Sequence, residues 1–142
     1  MIVVFNKHTG EVVYTLDYQY EFDSELEEPL DYLVTLVEHG NNILTMRVDL
    51  ESRTLVSKSA IMFSADRLAC LAGESITLTF QHEGEQFGST FALLVGELVV
   101  QVPYDLEHIA ISFDLPGEYK IYVPDNRIHG TMLKIQVEDD QL

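Results

Sequence analysis

Hydrophobic and polar residues alternate along much of this chain, the spacing of half-buried strands rather than of helices. The clearest run lies near the start. Val12, Tyr14, Leu16, Tyr18, Tyr20 and Phe22 fall on one face of an extended segment, and Val13, Thr15, Asp17, Gln19, Glu21 and Asp23 on the other. Residues 2–5 read as a shorter strand before it, and Asn6-Lys7-His8-Thr9-Gly10 as the hairpin turn between the two, with glycine at its end. At ~3.3 Å per residue the second arm reaches about 35 Å, more than a small domain needs. It must bend at a bulge or reach something outside its own module.

An acidic loop follows at residues 23–29. The next stretch fits two descriptions. Leu30, Leu33, Val34 and Val37 have helical spacing, with Pro29 at the first position and Gly40 just past the end. Residues 32–37 are nevertheless rich in strand formers. His39-Gly40-Asn41-Asn42 is strong turn chemistry, and residues 43–48 read as a returning strand. The hairpin is favoured over the helix. Asp49-Leu50-Glu51-Ser52-Arg53 then turns the chain into Thr54-Leu55-Val56.

From about residue 61 the pattern becomes seven or eight short strands with frequent turns. Ile76, Leu78 and Phe80 alternate with polar neighbours, as do Ile109, Ile111 and Phe113. Residues 91–95 and 98–102 flank Gly96-Glu97. Leu115-Pro116-Gly117-Glu118 has the residue order of a type II turn, and Leu133, Ile135 and Val137 make a last strand. Strands of this length at regular spacing predict a sandwich. The expected architecture is all-β, with a hairpin-rich module over 1–60 followed by a β-sandwich over 61–142.

Charge narrows the partners. Eight Lys and Arg stand against 24 Asp and Glu, a net charge of −16 with histidine neutral. That argues against binding a nucleic-acid backbone, which needs clustered positive charge, and against docking on an anionic membrane. The acid is spread through the chain, −7 in residues 1–60 and −9 in 61–142. No apolar run approaches the ~20 residues of a membrane span. Residues 1–7 place no basic region before their apolar stretch, so no signal peptide is expected there.

The second half resembles a known family. Asp66-Arg67-Leu68-Ala69-Cys70-Leu71-Ala72-Gly73-Glu74-Ser75-Ile76-Thr77-Leu78-Thr79 is similar to the opening of bacterial immunoglobulin-like (Big) domains. Leu115-Pro116-Gly117-Glu118-Tyr119-Lys120-Ile121-Tyr122-Val123 is similar to their late strand. The resemblance covers residues 66–137 and implies an immunoglobulin-like sandwich, with no activity attached. Many such modules sit on bacterial surface proteins and tailed-phage structural proteins. Residues 4–12 and 47–56 resemble small N-terminal modules of tailed-phage accessory proteins. With no signal peptide expected, the combination favours a phage particle over a bacterial surface.

The residues offer little chemistry. None of His8, His39, His82, His108 and His129 pairs at a metal-ligand spacing, and Cys70 is the single cysteine. Its apolar neighbours predict an inert core thiol. Carboxylates that could hold calcium are Asp23, Glu25, Glu27, Glu28 and Asp31, or Glu138, Asp139 and Asp140, but no Asp-x-Asp-x-Asp-Gly loop exists and a solvated acidic face is the simpler reading. There is no nucleophile elbow around Gly88-Ser89, and Gly84-Glu85-Gln86-Phe87-Gly88 lacks the lysine of a phosphate loop. With 24 acids some carboxylate pair is always available, so such a pair signals nothing.

What remains is binding. Tyr14, Leu16, Tyr18, Tyr20 and Phe22 form an aromatic strip with acidic flanks, fit either for the core of the first module or for docking on a sister subunit or larger partner. The expected function is therefore non-enzymatic, without cofactor. The resemblance implies a virion accessory protein contacting capsid or tail proteins or its own copies. Capsid decoration is its most specific form and a tail or fibre adaptor its neighbour. The reading from another class is an acidic inhibitor of host defence that occupies a basic host protein.

Overall fold

A computed structural model describes residues 1–16, 26–35 and 45–139. The described residues form strands joined by turns, in two compact units, Met1–Lys58 and Ser59–Leu142.

The first unit is built around one strand. β1 (Ile2–Asn6) is central in a three-stranded antiparallel sheet, between β2 (Val12–Leu16) and β3 (Leu30–Val34). A two-stranded ribbon, β4 (Met46–Asp49) and β5 (Thr54–Ser57), completes it. Val3 and Phe5 point to one face and bury with Val48, against Val12, Leu33 and Leu55. Ile2 and Val4 alternate to the other face and are equally buried. A continuous apolar run suits a strand covered on both sides.

Two expectations need correcting here. The strand at 30–34 does not return against the strand at 46–49: β3 pairs with β1, from Ile2↔Val34 to Asn6↔Leu30, and β4 pairs with β5. Hydrophobic pattern identifies strands but not partners, and the apolar β1 leaves both of its edges to be filled. The second concerns the single face expected for the long alternating arm, which does bend at a bulge, one of the two alternatives expected for it. Val4 pairs with Tyr14 and Phe5 with Val12, so Val13 is the extra residue of a β-bulge. The bulge shifts the side-chain parity. Val12 joins the Phe5 face, while Tyr14 and Leu16 join the face of Ile2 and Val4.

Gly10 ties the hairpin to the ribbon. Its φ is +78°, and its carbonyl accepts from the Val48 N–H at 2.8 Å. A Cβ there would lie 2.2 Å from the Val48 carbonyl oxygen, so only glycine fits.

The second unit is a two-sheet sandwich. Its strands are β6 (Ser59–Ala65), β7 (Ala69–Leu71), β8 (Ser75–Glu83), β9 (Thr90–Val95), β10 (Leu98–Pro103), β11 (His108–Ser112), β12 (Gly117–Tyr122), β13 (Ile128–Gly130) and β14 (Leu133–Glu138). One sheet runs β10-β9-β12-β14-β7 and the other β11-β8-β6-β13. Most pairs are antiparallel, but β13 lies parallel to β6 and β14 parallel to β7. The alternating inward residues fill the space between the sheets. Cys70, Phe91, Leu93, Val102, Ile121, Ile135 and Val137 come from one sheet. Ile61, Phe63, Ile76, Leu78, Phe80 and Ile128 come from the other.

The turn before β12 also departs from expectation. The chain bends at Asp114-Leu115, and Gly117, with φ +151°, already pairs with Val137. A type II turn holds its third residue near +80°. Here the Tyr119 hydroxyl closes the bend instead, donating to the Leu115 carbonyl at 2.7 Å.

Candidate interaction surface

The residues proposed from sequence for docking divide at the edge of the described structure. Tyr14 and Leu16 lie on β2, and Tyr18, Tyr20 and Phe22 lie outside the described residues. Leu16 stands opposite Ile2, and Tyr14 opposite Val4. On the far side of β1 the same two residues face Val34 and Tyr32. One sheet face thus gathers Tyr14, Leu16, Ile2, Val4, Tyr32 and Val34. Its middle is buried and its flanks are open, with Tyr14 41% and Val34 57% exposed. Tyr32 and Val34 were not singled out from sequence, because only the β1–β3 register brings them beside Tyr14.

Local chemistry holds this sheet in place. The Asn6 side-chain oxygen accepts from the backbone N–H groups of His8 at 2.9 Å and Thr9 at 3.3 Å, an Asx turn. Asn6 also exchanges backbone bonds with Glu11 and Gly10 across the hairpin end. Charge surrounds the sheet. Lys7 pairs with Glu28, and the Arg53 guanidinium reaches Asp31 at 3.2 Å and stands 5.8 Å over the Phe5 ring. Such exposed pairs contribute only about 0–1 kcal/mol each. They occupy two of the carboxylates considered for calcium. Among the described residues no group of three or more His, Cys, Asp or Glu is gathered for a metal ion.

The sandwich carries a concavity lined by residues of the 95–98 and 112–120 segments, with a volume of 660 Å³. Its floor is the Phe113–Tyr119 stack, centroids 4.1 Å apart and planes 24° from parallel. Leu98 and Leu115 are part of its lining, and Glu97, Asp114, Glu118 and Lys120 give it charge. An aromatic floor with carboxylates around it suits contact with a partner side chain. Its lining has two hydroxyls, those of Ser112 and Tyr119, the second of which donates to the Leu115 carbonyl.

Other groups noticed in the sequence have structural surroundings. Cys70 is buried on β7 as a free thiol. The His108 ring nitrogen Nδ1 is 3.1 Å from the Thr79 hydroxyl, and the His82 ring packs edge-on to Tyr104 at 5.5 Å. Glu74, in the segment that resembles a Big-domain opening, accepts from the Leu71 N–H at 2.7 Å and from Arg67 at 3.1 Å. The Leu71 bond, aided by the Arg67 guanidinium, holds its carboxyl below the ordinary 4.5. Asp125 accepts from the Arg127 guanidinium at 2.7 and 3.0 Å and from the Arg127 backbone N–H at 2.9 Å, and raises the pKa of Arg127, while the guanidinium lies 4.2 Å over the Phe87 ring. Both are structural clasps that secure loops of the sandwich.

Compared with protein-family models and with curated proteins, the chain matches none.

Proposed function

We propose that this chain is a non-enzymatic structural protein of a tailed-phage particle, in the role of a capsid decoration. Residues 1–58 are its anchor, and the β-sandwich, read as immunoglobulin-like, is the displayed unit. The observation that supports this reading best is the sheet face of the first unit. It has a buried apolar centre and an open aromatic and aliphatic margin at Tyr14 and Val34. Exposed aromatic side chains such as Tyr14 are the anchors that dominate protein–protein contacts. The resemblance of residues 66–137 to Big domains supplies the particle context, and the acidic surface keeps copies soluble at high local concentration.

Quantitative mass spectrometry of gradient-purified particles from the source tests this. Tens to hundreds of copies per particle are expected, a handful would move the assignment to the tail, and absence from particles would overturn it. Tyr14→Glu places a charge on the margin without touching the buried centre. It should lower occupancy on particles at least tenfold in an add-back assay, and full occupancy would remove the anchor assignment.

A further inference from the structure

Strand β10 ends one side of the five-stranded sheet, and nothing among the described residues pairs with its outer side. Edge strands are usually guarded by charge, brevity or a covering segment, because their open N–H and C=O groups template pairing with another chain. β10 has no charged residue in its six positions, in a chain of net charge −16. Apart from the buried Val102, its side chains are open as well, with Leu98 72% and Val99 58% exposed.

The register tells which backbone groups face outward. The two-residue loop Gly96-Glu97 makes Val95 and Leu98 the first hydrogen-bonded pair, and bonded pairs then alternate as Leu93–Val100 and Phe91–Val102. The Gly96 N–H fixes the same parity, because it donates to the Lys120 carbonyl on the opposite side of β9 at 2.9 Å. Val99 and Gln101 therefore present both N–H and C=O outward. Beyond them Pro103 has no N–H, and its carbonyl already accepts from the Leu106 N–H at 3.1 Å, so the open run ends at Gln101.

We propose that β10 is a dimerisation edge, occupied by the β10 strand of a second copy running antiparallel about a two-fold axis through Val100. The occupant is a second copy because the outward positions are self-complementary. Centring on Val100 sets Val99 opposite Gln101 of the other copy, and Gln101 opposite Val99. Each pair exchanges two backbone bonds, and no residue shifts register. Two five-stranded sheets become one of ten, an isologous contact. No charge lies within the paired strands themselves. Glu97 falls opposite Pro103 of the other copy and roughly 20 Å from its own symmetry mate at ~3.3 Å per residue, beyond the ~8 Å over which charges interact in physiological salt. The acid that comes nearest to it is Asp105 of the other copy, two residues past Pro103 in the turn after β10, so each end of the paired strands carries one like-charge contact that salt screens. This inference stands apart from the particle assignment.

The test uses the full chain and two variants. Light scattering behind size exclusion, over a concentration series, should give twice the 16.1 kDa chain mass. Gln101→Pro removes an N–H that the chain itself does not use and should return the mass to 16.1 kDa with the circular dichroism unchanged. Val100→Cys tests the register even where the proline variant fails to fold. Directly opposed, non-bonded positions on antiparallel strands come within disulfide reach, so this variant should form a covalent dimer under mild oxidation, and Val99→Cys should not. A wild-type chain that stays single, or a dimer that survives Gln101→Pro and does not cross-link through residue 100, overturns the proposal.

Discussion

The two units bury their apolar residues in different ways. In the sandwich, alternate residues of two sheets point inward, and no single strand carries the core. In the first unit the core is arranged about β1, whose residues Ile2, Val3, Val4 and Phe5 are buried on both faces. A layered core spreads its stability over many contacts. A core threaded by one strand concentrates it. The same hydrophobic effect thus yields one unit that tolerates a local loss and one that does not.

The most severe way to sharpen that contrast is a pair of truncations. Phe5→Ala and Leu93→Ala each remove a fully buried side chain, at a cost of about 3–5 and 2–5 kcal/mol. Phe5→Ala should unfold the first unit outright, seen as loss of amide protection through residues 2–16 with the sandwich protected. Leu93→Ala should lower the sandwich's melting temperature while leaving it folded. Equal behaviour of the two variants would break the comparison.

A smaller effect is expected from Gly10→Ala. The positive φ costs about 1–3 kcal/mol for a residue with a Cβ, and the methyl group meets the Val48 oxygen, so the bond from the Val48 N–H must open. Hydrogen exchange at Val48 should rise while exchange in β8 and β12 stays as in the wild type. The smallest effect belongs to the sandwich. Glu74→Gln removes a carboxylate whose pKa is lowered on folding, so the stability it contributes is present above about pH 4.5 and disappears as pH falls through the depressed folded value. The melting temperatures of wild type and variant should differ at neutral pH and converge in acid.

The strands were mostly legible in the sequence, and their partners were not. Ile76, Leu78 and Phe80, or Tyr119 and Ile121, declare their strands because inward and outward residues differ in polarity. Ala69–Leu71 and Ile128–Gly130 are three residues long, too short for a period to register, and they pair with distant strands in parallel. The bulge at Val13 is silent because valine is as apolar as the residue on either side of it. On the proposed docking surface, Tyr14 could be seen as an aromatic on an alternating strand. Its neighbours Tyr32 and Val34 could not, since they arrive through a register about eighteen residues along the chain. Likewise residues 98–102 read as a strand, yet nothing local says that this strand ends a sheet.

Cys70 gives the fold a clock. It is the chain's single cysteine, buried on β7, which hangs on the sandwich through one neighbour, β14. At 7% exposure the thiol is slow to react while β7 is in place, and it opens fully when that strand peels away or the unit unfolds. The rate of labelling in excess reagent therefore reports the openings that uncover β7, without any introduced probe.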